Sequence, residues 1–357
     1  MLRVFARRSH NVQYFTEDGA REIEGLRQGG PGWWLRGDGD AHDPRDVADV
    51  LQSTERAAVR GYDLVIAAPR PISILLALDP DHAPGVVDAH RSSVSAAVGY
   101  LEEHALVVRD RRDGADRDER GRWRSIVAFT HGINRHGEPH LHDHVLVGAR
   151  PEGARVVLDS RALYAHSSAA DAIYRSSLRH ELAARSPWAA WRSFEGIEHV
   201  VGLDEGYRVL WGGHHPERGE KQHWRREDVV RAWRRDLERF EAHGVLTAPP
   251  RRVTLDEHAF AGALEGRTDV ARRHVVEAWA NAATYGQDPI WLRRSIGDLY
   301  PELAGPGGVR EPTMPVRDAR MTKRVRELGP RPIDGRDGGP WCQRSRELPR
   351  SRDGRSR

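Results

Sequence analysis

The sequence predicts an α+β fold, in which short strand pairs alternate with helices. Two β-prone apolar segments, 126–129 and 145–147, flank a connection rich in Gly, Pro and Asn, which is typical of two neighbouring strands. Apolar residues at 84–106 recur at helical spacing, and 224–242 and 254–300 also look helical. A hydrophobic fraction of 38% over 357 residues is enough to bury a substantial core.

The N-terminal third alternates between strand-like and helical patterns. Residues 1–8 predict a first strand, and the Gly-rich polar segment 18–43 predicts a loop. Residues 45–60 predict a helix with Val47, Val50 and Leu51 on one side. Residues 61–73 predict a buried strand that runs into a turn.

The middle of the chain continues this alternation. Pro84 is placed to begin the helix of 84–106. Segments 106–109 and 124–129 predict a hairpin across the charged turn 110–122. A helix of about 20 residues is expected after Ser160, followed by a β-leaning stretch at 190–212.

Composition bounds the environment of the protein. A single cysteine, Cys342, excludes a disulfide framework and fits a reducing cytoplasm. No apolar run approaches the roughly 20 residues of a membrane span, and the polar start does not resemble a signal peptide. We therefore expect a cytoplasmic protein without a membrane span.

Charge is distributed unevenly along the chain. Residues 305–357 hold 14 Lys/Arg and 7 Asp/Glu, a net of +7, whereas 1–304 hold 42 and 46, a net of −4. The basic tail has few large apolar residues and is predicted to be disordered. The expected organisation is a domain at 1–245, a helical extension at 246–304 that could clamp DNA, and the tail at 305–357.

Histidines cluster between the two predicted strands. On a strand, alternate side chains share one face, so His142 and His144 point the same way, and His131 ends the preceding strand. Three neutral imidazoles that converge from adjacent strands would form an open metal site. His136 and His140 fit loop or supporting positions. Solvated loop histidines are the alternative interpretation of the whole cluster.

The pattern His131-x10-His142-x-His144, with Pro139 three residues before His142, resembles the histidine triad of TrwC/TraI-type (MobF) conjugative relaxases, within the wider HUH endonuclease group. The strand Gly61–Ser73, with Asp63 and an Ala-Pro-Arg-Pro turn, resembles that family's Asp-bearing strand, and Tyr14-Phe15 resembles its N-terminal tyrosine pair. The similarity extends in order over about 1–240.

This resemblance implies an antiparallel sheet with helices packed on it and the nicking of one DNA strand at an origin of transfer. It implies that Tyr14 is the nucleophile, that His131, His142 and His144 hold a divalent cation, and that Asp63 orients one histidine. A tyrosine needs such help because its unperturbed pKa is near 10. The bond to the DNA phosphate would preserve the energy needed to rejoin the strand.

The sequence also suggests which cation is bound and which residues contact DNA. Mg²⁺ or Mn²⁺ is the expected cation, although three imidazoles would also accept Zn, Ni or Cu. Arg70 and Arg135 flank the two motifs and could contact phosphate. Trp33 and Trp34 could stack on bases or pack in the core. Single-stranded or hairpin DNA is the expected partner.

Two departures from the family pattern leave alternatives open. The second tyrosine pair of many relatives is replaced by a region around Glu22 and Ile23, so a single nucleophile is expected. No P-loop is present, so unwinding is expected from a separate helicase, with a coupling protein or accessory DNA-binding proteins as further partners. The alternatives are an HUH replication-initiation nuclease, an inactive relaxase-like DNA-binding protein, and a hydrolase that uses activated water.

Overall fold

The fold is described from a computed structural model of the chain. Its described residues are 1–18, 32–51, 58–78, 83–112, 115–134, 136–185, 191–194, 197–200, 210–211, 226–240, 255–283, 286–304 and 311–316. No helix within these ranges is long and apolar enough to cross a membrane.

The centre of the fold is a five-stranded antiparallel sheet within the described residues. Its strands are β1 Leu2–Arg7, β2 Gly32–Arg36, β3 Gly61–Ala67, β6 Ile126–Ile133 and β7 Pro139–Gly148. They lie in the order β1, β3, β7, β6, β2, so the β7 strand is central and the β1 and β2 strands are the edges. The predicted antiparallel sheet is thereby confirmed.

One face of the sheet is covered by long helices. Helix α3 (Ala83–His104) packs along α4 (Ser160–Arg185), and helix α2 (Arg70–Leu78) lies against β7. These helices and the inward side chains of the sheet form the larger buried cluster, which includes Leu64, Ile66, Val145 and Val147. The predicted helices at 84–106 and after Ser160 are confirmed, and the second has 26 residues.

The opposite face carries a thinner layer. A π-helical segment, Tyr14–Asp18, and helix α1, Pro44–Val50, contribute to a second buried cluster with the sheet residues Val127, Phe129 and Leu146. Because successive strand residues point to opposite faces, Val127 and Leu146 face this layer, whereas Ile126, Val145 and Val147 face the long helices. The two faces of the central strands thus have separate cores.

Two sequence predictions in the N-terminal third need correction. Residues 32–36, predicted as part of a loop, form the edge strand β2, which pairs with β6. This strand was missed because it lies in a Gly-rich context and both tryptophans in it are half-buried rather than alternating. The helix predicted at 45–60 ends at Val50, and residues 52–57 lie outside the described part.

The predicted hairpin partner is also wrong. Strand β4, Val107–Arg112, pairs with β5, Ala115–Arg120, and not with the β6 strand. Residues 110–112 and 115–120 of the charged segment therefore form strand rather than a wide turn. The pattern of apolar residues did not reveal these two strands, because almost every residue after Val108 in them is charged. In the β-leaning stretch 190–212, strands β8 (Trp191–Phe194) and β9 (Ile197–Val200) pair with each other.

The described residues within 224–242 and 254–300 are largely helical, as predicted. The elements that follow β9 are α5 Arg226–Phe240, α6 Glu257–Leu264, β10 Asp269–Ala271, α7 Arg272–Ala282, α8 Pro289–Leu299, a 3-10 turn Pro301–Leu303 and β11 Thr313–Pro315. Helix α7 packs against α4, and Trp279 and Ile296 belong to the same buried cluster as Leu64. Described residues on both sides of the predicted boundary near 245 therefore share one buried cluster.

The predicted disorder of the tail is wrong for its first described segment. Residues 311–316 include β11, which pairs with β10, and Met314 is buried. Glu311 forms an ion pair with Arg273 at 2.5 Å. The remainder of 305–357 lies outside the described residues.

A truncation at Leu64 tests the larger core. Leu64 is fully buried in the strand beside the central one. We expect Leu64→Ala to lower the free energy of unfolding by about 2–5 kcal/mol, because it removes packing and leaves a cavity. Urea denaturation would measure the change. Val157→Ala, at a side chain that is 39% exposed, should change it by less than about 0.5 kcal/mol, and an equal loss in both variants would contradict this core.

A buried histidine makes stability depend on pH. Burial lowers the pKa of His104 from 6.5 to about 2, with Arg272 among the further causes. The unfolded chain therefore binds more protons than the native chain below about pH 6.5, and stability falls as pH decreases toward 2. His104→Gln should reduce this slope by up to about 1.4 kcal/mol per pH unit, as measured by denaturation from pH 7 downward. An unchanged slope would contradict it.

Candidate metal centre and active site

Three histidines meet on the face of the sheet that carries the thinner layer. His131 on β6 lies directly opposite His142 on β7, and His144 follows two residues later on the same face. One ligand nitrogen from each of the three lies within 4.8 Å of the others. The predicted convergence of these side chains is present in the structure.

Two hydrogen bonds orient the rings. The Nδ1 atom of His144 lies 2.9 Å from a carboxylate oxygen of Asp63, to which it can donate in its Nδ1–H tautomer. The Nδ1 atom of His142 can likewise donate to the backbone carbonyl of His140 at 2.8 Å. Both bonds leave Nε2 as the atom available to a cation, and a carboxylate behind a ligating histidine is a recurring feature of metal sites.

Burial favours an uncharged ring at His142. Burial, followed by the neighbouring His140, His131 and His144, lowers the pKa of His142 well below 6.5. Burial and Arg70 lower the pKa of the adjacent His140 to about 4. Neutral imidazole is the form that binds metal. The three-imidazole donor set and its spacing therefore fit one divalent cation.

Tyr14 lies beside this group. It begins the π-helical segment, and its ring centroid lies 5.7 Å from that of His144 and 6.0 Å from that of His131. The neighbouring Phe15 is buried and stacks on Phe129, which anchors the segment to the sheet. Short π-helical turns are frequent at functional sites. The predicted Tyr14, Asp63 and histidines are thus brought together.

Two hydrogen bonds hold the beginning of strand β7 and the loop before it in place. In the first turn of α2, the Ser73 hydroxyl accepts a hydrogen bond from Leu141 N–H at 3.0 Å, next to His142. In the β6–β7 loop, Gly137 has φ +76°, which favours glycine, and its carbonyl accepts from Trp233 Nε1 at 2.8 Å. Helix α5 therefore holds the loop that precedes the metal-site strand.

The structure describes only one of the two arginines that were predicted to contact DNA. Arg70 begins α2 and forms an ion pair with Glu138 at 2.7 Å, so its charge is already partly compensated. Arg135 lies outside the described residues, as does the region of Glu22 and Ile23. His136 is an exposed loop residue, and His140 packs against the ring of His142.

A buried polar network lies behind the triad, on the opposite face of β7. Asp143, between the two histidines, is fully buried and lies 3.1 Å from His90 Nε2 on α3. His90 Nδ1 in turn lies 2.6 Å from the hydroxyl of Tyr174 on α4. Burial alone would raise the pKa of Asp143, but His90 and the hydrogen bond from Thr130 lower it below its usual value. The network ties the centre of the sheet to both long helices.

Sequence reasoning missed most of this network. Its only visible signal was the acidic residue inside His-Asp-His, which strand alternation directs away from the three-histidine group. Trp33, considered as a base-stacking residue, instead donates from Nε1 to Asp143 at 3.0 Å, and Trp34 donates to the Gly39 carbonyl. Both tryptophans serve the fold at these positions.

An antiparallel sheet with three histidines and a tyrosine on one face is the arrangement expected of the HUH endonuclease group. The family model for the TrwC relaxase matches residues 9–208, more than half of the chain. The chain belongs to the TrwC relaxase family. A search of curated proteins finds no match.

Solved structures show the same fold. One is described as the conjugative relaxase TrwC in complex with oriT DNA, metal-bound, with a TM-score of 0.56 and 18% identity over 68% of this chain and 99% of that chain. A second is TrwC complexed with a 27-mer DNA comprising the recognition hairpin and the cleavage site, with a TM-score of 0.52, 17% identity and the same coverage.

Removal of the carboxylate behind His144 tests the metal centre. We expect Asp63→Ala to weaken Mn²⁺ binding about 10- to 100-fold, because the ring loses the partner that fixes its orientation. Isothermal titration calorimetry would measure the dissociation constant. Asp88→Ala, at an exposed position of α3, should leave it unchanged. Equal affinity in the wild type and Asp63→Ala would contradict this role.

Proposed function

We propose that this chain nicks and rejoins one DNA strand at an origin of transfer, through a covalent tyrosine intermediate, during transfer of a conjugative or integrative element. The observation that carries the proposal is the position of Tyr14, whose ring lies 5.7 Å from the ring of His144 in the three-histidine group. Family membership supports the relaxase reaction, and the solved neighbours described as complexes with oriT DNA support the substrate.

His131, His142 and His144 would hold the divalent cation, and Asp63 would fix the ring of His144. When bound, a divalent cation supplies Lewis acidity that offsets charge on the non-bridging phosphate oxygens. Mg²⁺ and Mn²⁺ are the proposed ions. The all-imidazole donor set also suits Zn, Ni or Cu, and by intrinsic affinity it favours Mn over Mg.

Tyr14 would attack the scissile phosphorus through its hydroxyl oxygen. The new bond joins that oxygen to the 5′-phosphate, and the bond to the 3′-oxygen breaks. The tyrosine proton passes to solvent, and the released 3′-oxygen takes up a proton, so the step is balanced. One phosphodiester replaces another, and the reverse attack by a 3′-hydroxyl rejoins the strand without ATP.

The proposed substrate is single-stranded DNA, with a hairpin beside the nick. One solved neighbour is described as a complex with DNA comprising a recognition hairpin and a cleavage site. Arg70 and Arg135 are proposed to contact phosphates near the triad. Arg70 would exchange its partner Glu138 for phosphate or contact both, since a guanidinium has five donors.

Accessory DNA-binding proteins and a separate helicase or coupling protein are the proposed partners. The reaction rejoins strands but does not separate them, so another activity must unwind the duplex. The proposed site of action is the cytoplasm, where the DNA lies, and the single cysteine in 357 residues is compatible with it.

Covalent capture tests the proposed reaction. The wild type is incubated with Mn²⁺ or Mg²⁺ and single-stranded DNA from the transfer region, labelled at its 3′ end so that the label stays on the fragment joined to the protein, and is then run on a denaturing gel. We expect a labelled protein band in the wild type and none in Tyr14→Phe, which has no hydroxyl. His142→Ala should slow formation of the band at least about 100-fold, because the cation that offsets phosphate charge is lost.

Tyr164→Phe is the matched control, because Tyr164 lies on α4 and is 48% exposed; its band should equal that of the wild type. A cleaved strand without a protein band would instead assign the nucleophile to water. Binding without cleavage, across several metals and sequences, would contradict the proposed reaction and favour a DNA-binding role.

A further inference from the structure

The edge strand β1 has two chemically different faces. Leu2 is buried in the larger core and Val4 packs against that core. The alternate residues Arg3, Phe5 and Arg7 therefore share the other face, and we call them the β1 row. These three side chains take no part in the core that Leu2 and Val4 contact.

The β1 row lies on the same face as the metal centre. Phe5 is the cross-strand partner of Asp63, and directly opposite residues in an antiparallel pair have Cα atoms about 4.5–5.5 Å apart. The guanidinium of Arg7 lies 5.3 Å from the ring centroid of Phe15, whose ring lies 5.3 Å from that of His144. The row therefore borders the carboxylate and the tyrosine segment.

The side chains of the row are available to a ligand. Phe5 is 48% exposed, an unusual position for a large aromatic side chain, and Arg3 is exposed. Arg7 is held in place by a hydrogen bond from Nη2 to the Asn11 carbonyl at 2.6 Å. A guanidinium fixed in this way beside the tyrosine segment suits a phosphate oxygen.

We propose that the β1 row is a binding subsite for single-stranded nucleotides next to the scissile phosphate. Phe5 stacks on one base, and Arg7 and Arg3 contact the flanking phosphates. Single-stranded nucleic acid is commonly bound in this way, by aromatic platforms within a positively charged path, without strong sequence preference. The proposal rests on the proposed function, because that function brings a single strand to Tyr14.

A nucleic acid fits the row better than a protein partner does. The two arginines flank a single exposed aromatic, so the surface is positively charged rather than broadly apolar. A protein interface of ordinary stability needs a larger buried area with an apolar centre. The subsite would fix the register of the strand, and thereby select which phosphate reaches the tyrosine.

Binding and stacking are measured with short oligothymidylates, in the absence of metal so that no cleavage occurs. Fluorescence anisotropy of an end-labelled strand gives affinity, and 2-aminopurine placed at successive positions reports stacking. We expect Phe5→Ala to weaken binding about 5- to 150-fold and to abolish a change in 2-aminopurine fluorescence at one position. Phe5→Trp should retain both signals, and Arg7→Ala should weaken binding and reduce its dependence on salt.

Tyr164→Ala is the matched control, because it removes an aromatic of the same 48% exposure from helix α4, which packs on the other face of the sheet. Its binding should equal that of the wild type. Equal affinity in Phe5→Ala and the wild type would overturn the subsite, even if the tyrosine adduct still forms. Absence of oligonucleotide binding by the wild type would overturn the subsite, whereas formation of the tyrosine adduct tests the proposed function separately. Circular dichroism would verify the fold of each variant.

Discussion

The register of strand β7 is the constraint on which the site depends. Because side chains alternate, His142 and His144 share one face while Asp143 between them points to the other. A slip of one residue would bury two histidines in the main core and expose Asp143. The pair that Asp143 forms with His90 resists this slip, since an unpaired buried carboxylate is strongly unfavourable.

The same alternation separates structural from chemical tasks. The face toward the long helices is filled by apolar side chains and by the Asp143–His90–Tyr174 network, which is internally paired. The other face carries the triad, Asp63 and Tyr14 beside the smaller buried cluster. Rigid helices on one side thus support the candidate site on the other, as preorganised chemistry requires.

The sequence was informative where short-range patterns determine geometry. Strand alternation and spacing were enough to bring His131, His142 and His144 together, and family resemblance added Asp63 and Tyr14. Strand β2 and the β4–β5 pairing were missed, because Gly-rich and highly charged strands lack an alternating apolar signal. The pairing of Asp143 with His90, 53 residues apart, could not be predicted, since long-range partners follow from packing and not from local pattern.

Locating the covalent bond by mass spectrometry tests most directly whether Tyr14 is the nucleophile. The protein would be trapped with a single-stranded substrate from the transfer region, digested with protease and nuclease, and sequenced as peptides. We expect a nucleotide attached through its 5′-phosphate to Tyr14, and to no other residue. A nucleotide on a different side chain would contradict the claim that the sheet brings the metal centre and its nucleophile together at this position.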